Sequence, residues 1–360
     1  MPDKTICFFN SSKTWGGGEK WHLDNALFLA RKGYRVIVLT NIQSKLATEI
    51  EKYEEIKLIK IKVSNFSFIN PFRIIQLKSV LKKINPKTII INLPSDLKLI
   101  GVTSIFYKIS QIIYRRGSAI PIKNTFLNRF LFKNVITGII ANSEATKNTI
   151  LQKNQKLYPK DKIEVIYNGI FICKDEALDR TFNREIILGH IGRFSREKNQ
   201  EFLIRLAEEL KSREVPFKLI LGGTGTDFEK ISRLVSLKNL TDQVILPGFI
   251  SNTQSFFRTI DVFLLPSFWE GFGYVTVEAM ACKKPVIAFN VGSNPEIILH
   301  ESTGFLIQTF NLELFAERVK FFYNNPPEIK SFGIRGRERA TKHFNIKNSY
   351  NHIEAYLNKL

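Results

Sequence analysis

The sequence predicts an α/β protein made of two Rossmann-like domains, each with a parallel sheet between helices. Short apolar runs alternate with longer segments of helical period, and this alternation occurs in both halves of the chain. Parallel strands that are covered on both faces read as continuous apolar runs, as many of these do. The length of 360 residues also fits two domains better than one.

The first half of the chain predicts six strands, at Thr5–Asn10, Arg35–Thr40, Ile56–Val63, Thr88–Asn92, Gln111–Arg115 and Ile136–Ala141. Helical patterns lie between them, for example over Glu19–Lys32 and Pro71–Ile84. In the latter, Leu77, Leu81 and Ile84 recur at a spacing of three or four residues, which places them on one face of a helix.

The second half predicts strands at Ile186–Ile191, Phe217–Leu221, Gln243–Leu246, Val262–Leu265 and Pro285–Phe289. The helices predicted between them include Gln200–Arg213, Asp227–Lys238 and Tyr274–Cys282. We therefore expect a second sheet of the same type as the first.

We expect the first domain over residues 1–170, the second over residues 171–344, and a closing helix within 345–360 that returns to the first domain. The boundary is expected near Tyr167–Asp179, where YNG favours a turn and KDEALD is polar. Ligands of open α/β sheets bind beyond the carboxyl ends of the strands. The expected site is a cleft across which the two sheets face each other.

The net charge of +20 is unevenly distributed: residues 1–180 carry +16 and residues 181–360 carry +4. Residues 57–160 contain 19 Lys and Arg but only two acidic residues, Asp96 and Glu144. Such an excess indicates an anionic partner. Segments such as LKLIGVTSIFYKISQIIYRR add aromatic and aliphatic side chains, which favours contact with an anionic membrane surface or glycolipid. The alternative is that these lysines are solvated and the apolar residues form core.

Three widely separated cysteines, Cys7, Cys173 and Cys282, form neither a CxxC motif nor a Cys/His cluster. This pattern is typical of a reducing compartment and predicts no structural zinc. We find no signal-peptide pattern and no apolar stretch of bilayer-spanning length. We expect a cytoplasmic protein with peripheral contact at the inner face of the cytoplasmic membrane.

The segment LPSFWEGFGYVTVE, residues 265–278, carries the strongest chemical signal in the sequence. It predicts a strand end, a turn with Gly271 and Gly273, and a helix whose N-terminus suits an anionic or hydroxyl-rich ligand. Glu270 and Glu278 could accept hydrogen bonds from sugar hydroxyls. Alternatively, the two carboxylates are only a helix N-terminal charge and a solvated helix residue.

A second segment, HIGRFSREK at residues 190–198, places Arg193 and Lys198 in a loop between a strand and a helix. Two cations at such a position can bind a diphosphate through charge-assisted hydrogen bonds. The alternative is a charged surface loop.

A third segment contains three consecutive glycines, Gly16, Gly17 and Gly18, between the first strand and the first helix. This is a position at which backbone N–H groups can surround a phosphate, although a flexible turn is the alternative. Trp21 stands where a dinucleotide fingerprint requires its third glycine, and no GxxxxGK[ST] sequence occurs.

Together these motifs resemble the retaining family 4 glycosyltransferases (glycosyl transferases group 1), which have the GT-B fold. GRFSREK, LLPSFWEGFGYVTVEAM and VGSNPEII carry most of the resemblance, supported by WGGGEKW, ANSEATK, VIYNGI and TGFLI in the same order. The resemblance implies a first domain that binds the acceptor and a second domain that binds the nucleotide sugar.

The resemblance also implies roles for individual residues. Arg193 and Lys198 would stabilise the leaving diphosphate. Donor-sugar hydroxyls would be bound by Glu270, and the nucleotide ribose by Glu278. The remaining expected contacts with the donor come from glycine-rich backbone, at Gly17, Gly18, Gly271, Phe272 and Gly273.

The sequence departs from the family at the loop after the fourth strand, where many relatives have a histidine. Here the loop reads NLPSDLK, and Asp96 could orient the acceptor hydroxyl instead. Ser95 or Asp96 could equally be the N-cap of a helix beginning near Leu97. The chain contains no DxD motif, so we expect no metal and no other cofactor.

We therefore expect a retaining, metal-independent hexosyltransferase that uses a UDP- or GDP-sugar. Its acceptor would be a lipid-linked or surface glycan, as in lipopolysaccharide, O-antigen or capsule biosynthesis. One alternative is a GT-B sugar-nucleotide 2-epimerase. Another is a non-enzymatic protein that binds polyanions or nucleic acid, although no nucleic-acid-binding motif occurs and we expect no such partner.

Overall fold

The computed structural model of the chain describes residues 5–172 and 185–360. The chain divides into two units: unit 1 comprises Met1–Asn168 and Ser349–Leu360, and unit 2 comprises Gly169–Asn348. The predicted boundary segment continues past residue 172, and its polar part, KDEALD, lies outside the described residues.

Unit 1 is built on a parallel sheet of seven strands in the order β3-β2-β1-β4-β5-β6-β7. The strands are β1 (Thr5–Asn10), β2 (Arg35–Asn41), β3 (Lys57–Ile61), β4 (Thr88–Ile91), β5 (Gln111–Arg116), β6 (Gly138–Ala141) and β7 (Ile163–Val165). Parallel neighbours require crossover connections, which here are mostly helices.

The helices of the first part of the chain are α1 (Gly17–Arg31), α2 (Lys45–Ile50), α3 (Pro71–Ile84), α4 (Pro94–Phe106), α5 (Phe126–Asn134) and α6 (Glu144–Leu151). Helix α3 shows how the sequence starts such a helix. The Asn70 side chain accepts a hydrogen bond from the Arg73 N–H, and Pro71 occupies the first helical position. The Asn70 side chain thus satisfies a free N–H of the first turn, and proline fits the first helical position because its missing N–H is not needed there.

The core of unit 1 covers both faces of its sheet. Along β1, Cys7 and Phe9 belong to one buried cluster, whereas Ile6 and Phe8 belong to another. Because side chains alternate between the faces of a strand, this continuous apolar run buries both faces.

Unit 2 is built on a parallel sheet of six strands in the order β10-β9-β8-β11-β12-β13. The strands are β8 (Ile186–Ile191), β9 (Phe217–Gly222), β10 (Val244–Gly248), β11 (Val262–Leu265), β12 (Val286–Phe289) and β13 (Gly304–Ile307). Its helices are α7 (Gln200–Ser212), α8 (Phe228–Leu237), α9 (Thr253–Thr259), α10 (Tyr274–Ala281), α11 (Asn294–Ile297), α12 (Leu312–Asn324) and α13 (Pro326–His343). Two Rossmann-like parallel sheets confirm the predicted α/β class.

The last helix, α14 (Ile346–Lys359), packs against α1 of unit 1. The rings of Phe28 and Tyr350 stack with their centroids 4.2 Å apart. The Tyr34 hydroxyl donates a hydrogen bond to Asn358 Oδ1 at 3.3 Å. These contacts attach the end of the chain to unit 1.

Two short strands, β7 and β13, are not among the predicted ones. Each lies at an edge of its sheet and has only three or four residues. Pairing with the neighbouring strand therefore determines its conformation more than its own short sequence does. Among the described residues, no helix has both the length and the apolar composition needed to cross a membrane.

Candidate active site

The main motifs of unit 2 meet because their strands are neighbours. Strand β8 leads into the loop that carries Arg193 and Lys198, and β11 leads into the loop that carries Glu270. These two strands pair in parallel, so their carboxyl ends lie at the same edge of the sheet. The local geometry therefore brings GRFSREK and the WEGFG turn together.

An ion pair joins the two loops. Lys198 Nζ lies 2.5 Å from Glu270 Oε1, and the two side chains are 22% and 8% exposed. Arg193, in the same loop as Lys198, is exposed. The site thus has one cation fixed by a buried carboxylate and a second cation facing solvent.

Backbone and side-chain hydrogen bonds hold the two loops in register. The Asn199 side chain donates to the Pro266 carbonyl at 3.2 Å, and the Phe268 N–H donates to the Glu197 carbonyl at 2.9 Å. The ion pair is therefore part of a fixed loop-to-loop contact.

A third loop, after β12, supports Glu270 from the other side. The Ser293 N–H donates to the Glu270 carbonyl at 3.1 Å. Gly292 has φ +53°, and a Cβ there would lie 2.1 Å from that same carbonyl oxygen. Only glycine combines this left-handed backbone with so close an approach.

Beneath the site, His190 is fully buried and neutral. Burial lowers the pKa of His190 to about 4, and nearby Lys198 acts in the same direction. His190 Nδ1 lies 2.9 Å from the Leu264 carbonyl, while Nε2 lies 3.3 Å from Gln200 Nε2. Because Gln200 also donates to the Arg193 carbonyl at 2.9 Å, His190 supports the basic loop without reaching solvent.

The glycine turn leads directly into α10. Gly273 is the N-cap of this helix, so the turn ends at a helix N-terminus. The Phe272 side chain is buried against the rings of Tyr274 and Phe344, which leaves its backbone as the candidate contact. Glu278 lies half-buried on α10.

In unit 1, Asp96 and the loop after β1 form a second polar cluster. The Asp96 carboxylate accepts hydrogen bonds from the Ser11 N–H, at 2.9 Å, and from the Ser11 hydroxyl. Burial raises the pKa of Asp96 to about 7; the hydrogen bonds from Ser11 and Ser95 oppose this effect, and the charge of Glu19 adds to it.

The predicted N-cap role of Ser95 or Asp96 is wrong. Helix α4 begins at Pro94, with Leu93 as its N-cap, so both residues lie inside the first turn. Proline is favoured at the first helical position because its missing N–H is not needed there. Asp96 binds Ser11, a residue distant in sequence.

The glycine run begins α1, with Gly16 as the N-cap and Gly17 as the first residue of the helix. A Cβ at Gly18 would lie 2.6 Å from Asn92 Nδ2, and Arg115 donates to Asn92 Oδ1 at 3.1 Å. The backbone at Gly18 therefore lies against a fixed side chain, which argues against a merely flexible turn.

Behind the glycine run, Asn10 donates to Glu19 Oε1 at 3.1 Å and lies 3.3 Å from His22 Nδ1. Burial lowers the pKa of His22 to about 3, and the charge of Arg115 contributes. His22 is thus neutral and belongs to the support of the loop.

Sequence reasoning missed Ser11, Asn199 and Gly292. Ser11 directly follows a buried strand, and Asn199 directly precedes a helix. Positions of these two kinds line the ligand-binding edge of α/β sheets, which could have marked both residues as candidates. Gly292 belongs to VGSNPEII, a motif that contributed to the resemblance without a role of its own. The contact that each makes is long-range and only the fold reveals it.

Comparison with known protein families gives one match for each half of the chain. The model of the family "Glycosyltransferase Family 4" matches residues 15–172, and that of "Glycosyl transferases group 1" matches residues 176–339. Together the two matches take in most of the chain.

Among curated relatives, poly(ribitol-phosphate) alpha-N-acetylglucosaminyltransferase of Staphylococcus aureus (strain COL) is 28% identical over 62% of this chain and 44% of its own length. The capsular polysaccharide biosynthesis glycosyltransferase CapM of Staphylococcus aureus is also 28% identical, over 62% of this chain and 61% of its own length. The aligned regions thus span less than two thirds of both relatives.

A solved structure of HepE from Anabaena, in complex with UDP-glucose, superposes with a TM-score of 0.84. The match covers 99% of this chain and all of that one at 20% sequence identity, which establishes a common fold. Since successive family models match its two halves and the folds agree, the chain belongs to the family 4 glycosyltransferases of GT-B fold (glycosyl transferases group 1).

Proposed function

We propose that the protein transfers a hexose from a UDP- or GDP-sugar to a lipid-linked or surface glycan, with retention of anomeric configuration. The acceptor would belong to lipopolysaccharide, O-antigen or capsule synthesis. CapM is a capsular polysaccharide biosynthesis glycosyltransferase, and HepE was solved with UDP-glucose, which supports this class of donor and product.

The observation that carries the proposal is the Lys198–Glu270 ion pair, with Arg193 on the same loop as Lys198. An ammonium has three N–H donors, so Lys198 can hold Glu270 and still donate to a diphosphate. Exposed Arg193 adds a second cation on the same loop. A donor diphosphate would thus meet one positive charge that is already fixed and a second that is exposed on the same loop.

Glu270 would accept hydrogen bonds from donor-sugar hydroxyls, and Glu278 from the ribose. The N-terminus of α10, with Gly271, Phe272 and Gly273, would supply backbone N–H groups and a positive dipole end. Retention by front-face displacement needs no protein nucleophile. The protein stabilises the negative charge that grows on the leaving diphosphate.

On the acceptor side, the proposed role of Asp96 operates through Ser11. Asp96 has no exposed surface, and its carboxylate oxygens bind the Ser11 N–H and hydroxyl. It would therefore position the loop between β1 and the glycine run, where Gly17 and Gly18 would meet the diphosphate. This role replaces direct contact of Asp96 with the acceptor hydroxyl.

We also propose that an anionic membrane binds a surface formed by α3, α4 and the short turn before α3, which we call the α3–α4 face. It carries large exposed apolar side chains together with lysine: Ile69, Phe72, Ile75, Lys78, Ile105 and Phe106. Lys78 Nζ lies 5.9 Å from the centre of the Phe106 ring, so side chains of the two helices are in contact at this surface. Aromatic groups beside cations suit the headgroup region of an anionic leaflet.

The membrane proposal is tested by cosedimentation with vesicles of phosphatidylglycerol and phosphatidylcholine at physiological salt. Exchanging Phe72 and Ile75 for serine should weaken binding at least about tenfold, because two apolar side chains that the membrane would cover are lost. Serine at the exposed Leu237 and Phe249 of unit 2 is the matched control. Equal binding by both variants would refute the α3–α4 face.

The proposed activity is tested by thermal unfolding with a panel of UDP-, GDP- and ADP-sugars. A true donor raises the melting temperature, since a ligand that binds only the folded state stabilises by RT ln(1 + [L]/Kd). The stabilising donor is then incubated with membrane glycolipid extracts, and the anomeric configuration of the product is read by NMR. Inversion, or no transfer with any donor, would overturn the proposal.

A further inference from the structure

Unit 1 contains a cavity of about 530 Å³ that none of the roles above uses. It opens where β2 and β3 end, between the loops that follow these strands and the start of α3. Lys13, in the loop after β1, also lines it. The cavity thus lies at the carboxyl edge of the sheet, where ligands of α/β sheets bind.

The lining of this cavity is cationic. Lys13, Lys62 and Arg73 face it, and none of the described residues around it is acidic. Across the described part of the chain, none of the three forms an ion pair; the Arg73 guanidinium donates to the neutral Gln76 Oε1 at 2.8 Å. Three uncompensated cations around one cavity favour a ligand that carries more than one negative charge.

Polar groups around the cavity are preorganised. The Asn41 side chain donates to the Val63 carbonyl at 2.7 Å, and the Ser64 N–H donates to Ser67 Oγ at 2.8 Å. Helix α3 starts here at Pro71, which adds the positive end of its dipole. The loops are therefore fixed around the cations without neutralising them.

The rim of the cavity is apolar. Phe66 is 71% exposed and Ile42 is 56% exposed, and both line it. An inorganic anion would leave these side chains in water, whereas an anion joined to an apolar chain would cover them. The combination suits a phosphate or diphosphate that carries a hydrocarbon.

We propose that this cavity binds the phosphate-bearing end of the acceptor, with the attached apolar chain against Phe66 and Ile42. The inference rests on the proposed glycosyl transfer and names the chemical class of its acceptor. The shared chemistry is a phosphate or diphosphate group, whose source is either a lipid-linked glycan or a phosphate-containing soluble one.

The test is equilibrium binding of farnesyl diphosphate, farnesol and inorganic pyrophosphate to the full chain carrying Lys198→Ala, a change expected to weaken diphosphate binding at the proposed donor site of unit 2. In this background, alanine at Lys13, Lys62 and Arg73 should weaken farnesyl diphosphate binding about 10²-fold. The matched control places alanine at Lys82, Lys153 and Lys156, which are exposed and do not line the cavity. It removes the same charge and should change binding less than about threefold.

Farnesyl diphosphate binding tighter than pyrophosphate, with the difference lost in Phe66→Ser, supports the lipid-linked source. Equal binding of both diphosphates, each lost with the three cations, supports the soluble source. An equal loss in the control variant, or none in the cavity variant, would overturn the inference. Sugar transfer is measured separately, on the chain that retains Lys198. Transfer by that chain alongside such a result would leave the proposed function standing, whereas cation-dependent binding without any transfer by that chain would refute only the function.

Discussion

The two units use the same architecture but treat their positive charges differently. In unit 2, Lys198 at one strand end is paired with Glu270 at the neighbouring strand end. In unit 1, Lys13, Lys62 and Arg73 surround a cavity with no acidic partner among the described residues. A parallel sheet supplies the same ligand-binding edge twice. The comparison shows that local partners decide whether a cation there is fixed on one carboxylate or left available to attract anions.

The largest effect on sugar transfer should come from breaking the Lys198–Glu270 ion pair. We expect Lys198→Ala and Glu270→Gln each to lower kcat/KM for sugar transfer about 10²–10³-fold, since each removes a group positioned for the donor. Initial rates with the donor identified by thermal unfolding measure this. The controls are Lys320→Ala and Glu313→Gln, at exposed positions of α12. Near-normal rates in both site variants would refute these assignments.

A smaller loss should follow from disturbing the support of Glu270. Gly292→Ala forces an L residue to φ +53° and brings its Cβ against the Glu270 carbonyl. We expect the transfer rate to fall at least about tenfold and stability to fall by more than the roughly 1–3 kcal/mol of backbone strain alone.

The matched control is Gly248→Ala, also in unit 2. Gly248 has φ +79°, but no atom lies within 4 Å of the point that a Cβ would occupy, so this variant reports strain without a clash. Urea unfolding and initial rates of both variants separate the two effects. If Gly292→Ala lowers stability and transfer rate no more than Gly248→Ala does, the close approach of Gly292 to the Glu270 carbonyl contributes to neither.

In unit 1, Asp96→Asn should change how stability depends on pH. The pKa of Asp96 is raised from 3.8 to about 7. At a pH between these two pKa values, the Asp96 carboxyl is protonated in the folded chain and ionised in the unfolded chain. The free energy of unfolding therefore falls as the pH rises from about 4 to 7. The asparagine variant lacks this fall, which amounts to at most about 4 kcal/mol.

Urea unfolding at pH 4.5 and at pH 7.5 measures the difference between the two proteins. His22 and His190, whose lowered pKa values give the opposite slope below pH 6.5, are present in both and cancel. Parallel pH profiles would contradict a buried, proton-binding Asp96.

No effect is expected from chelation. We propose that Arg193, Lys198 and helix N-termini neutralise the diphosphate, so activity should survive dialysis against EDTA unchanged. Transfer assays before and after dialysis check this. Loss of activity that Mg²⁺ or Mn²⁺ restores would show that a metal shares the task.

Much of the fold could be predicted because its elements are strongly patterned. The predicted bounds of Pro71–Ile84, Ile186–Ile191 and Val262–Leu265 agree with the structure residue for residue. The edge strands β7 and β13 could not be predicted in this way, because pairing with a neighbour defines them. The predicted start of α4 near Leu97 is three residues late, since the helix already begins at Pro94.

Of the candidate site, the sequence supplied the residue types and the structure supplied the partners. GRFSREK and the WEGFG turn identified Arg193, Lys198 and Glu270 as candidates, yet nothing in their spacing shows that Lys198 contacts Glu270. The same holds for Ser11 and Asp96, which are 85 residues apart.

The sequence alone thus determined the α/β class with its two parallel sheets, the family and the uneven distribution of charge. These properties depend on local periodicity, on short motifs and on composition, and all three can be read from the sequence without knowing which residues are in contact. The tertiary structure decided which strands are neighbours, and therefore which cations meet a carboxylate and which surround an acid-free cavity. Contacts across loops depend on strand order and burial, and both arise only when the whole sheet has formed.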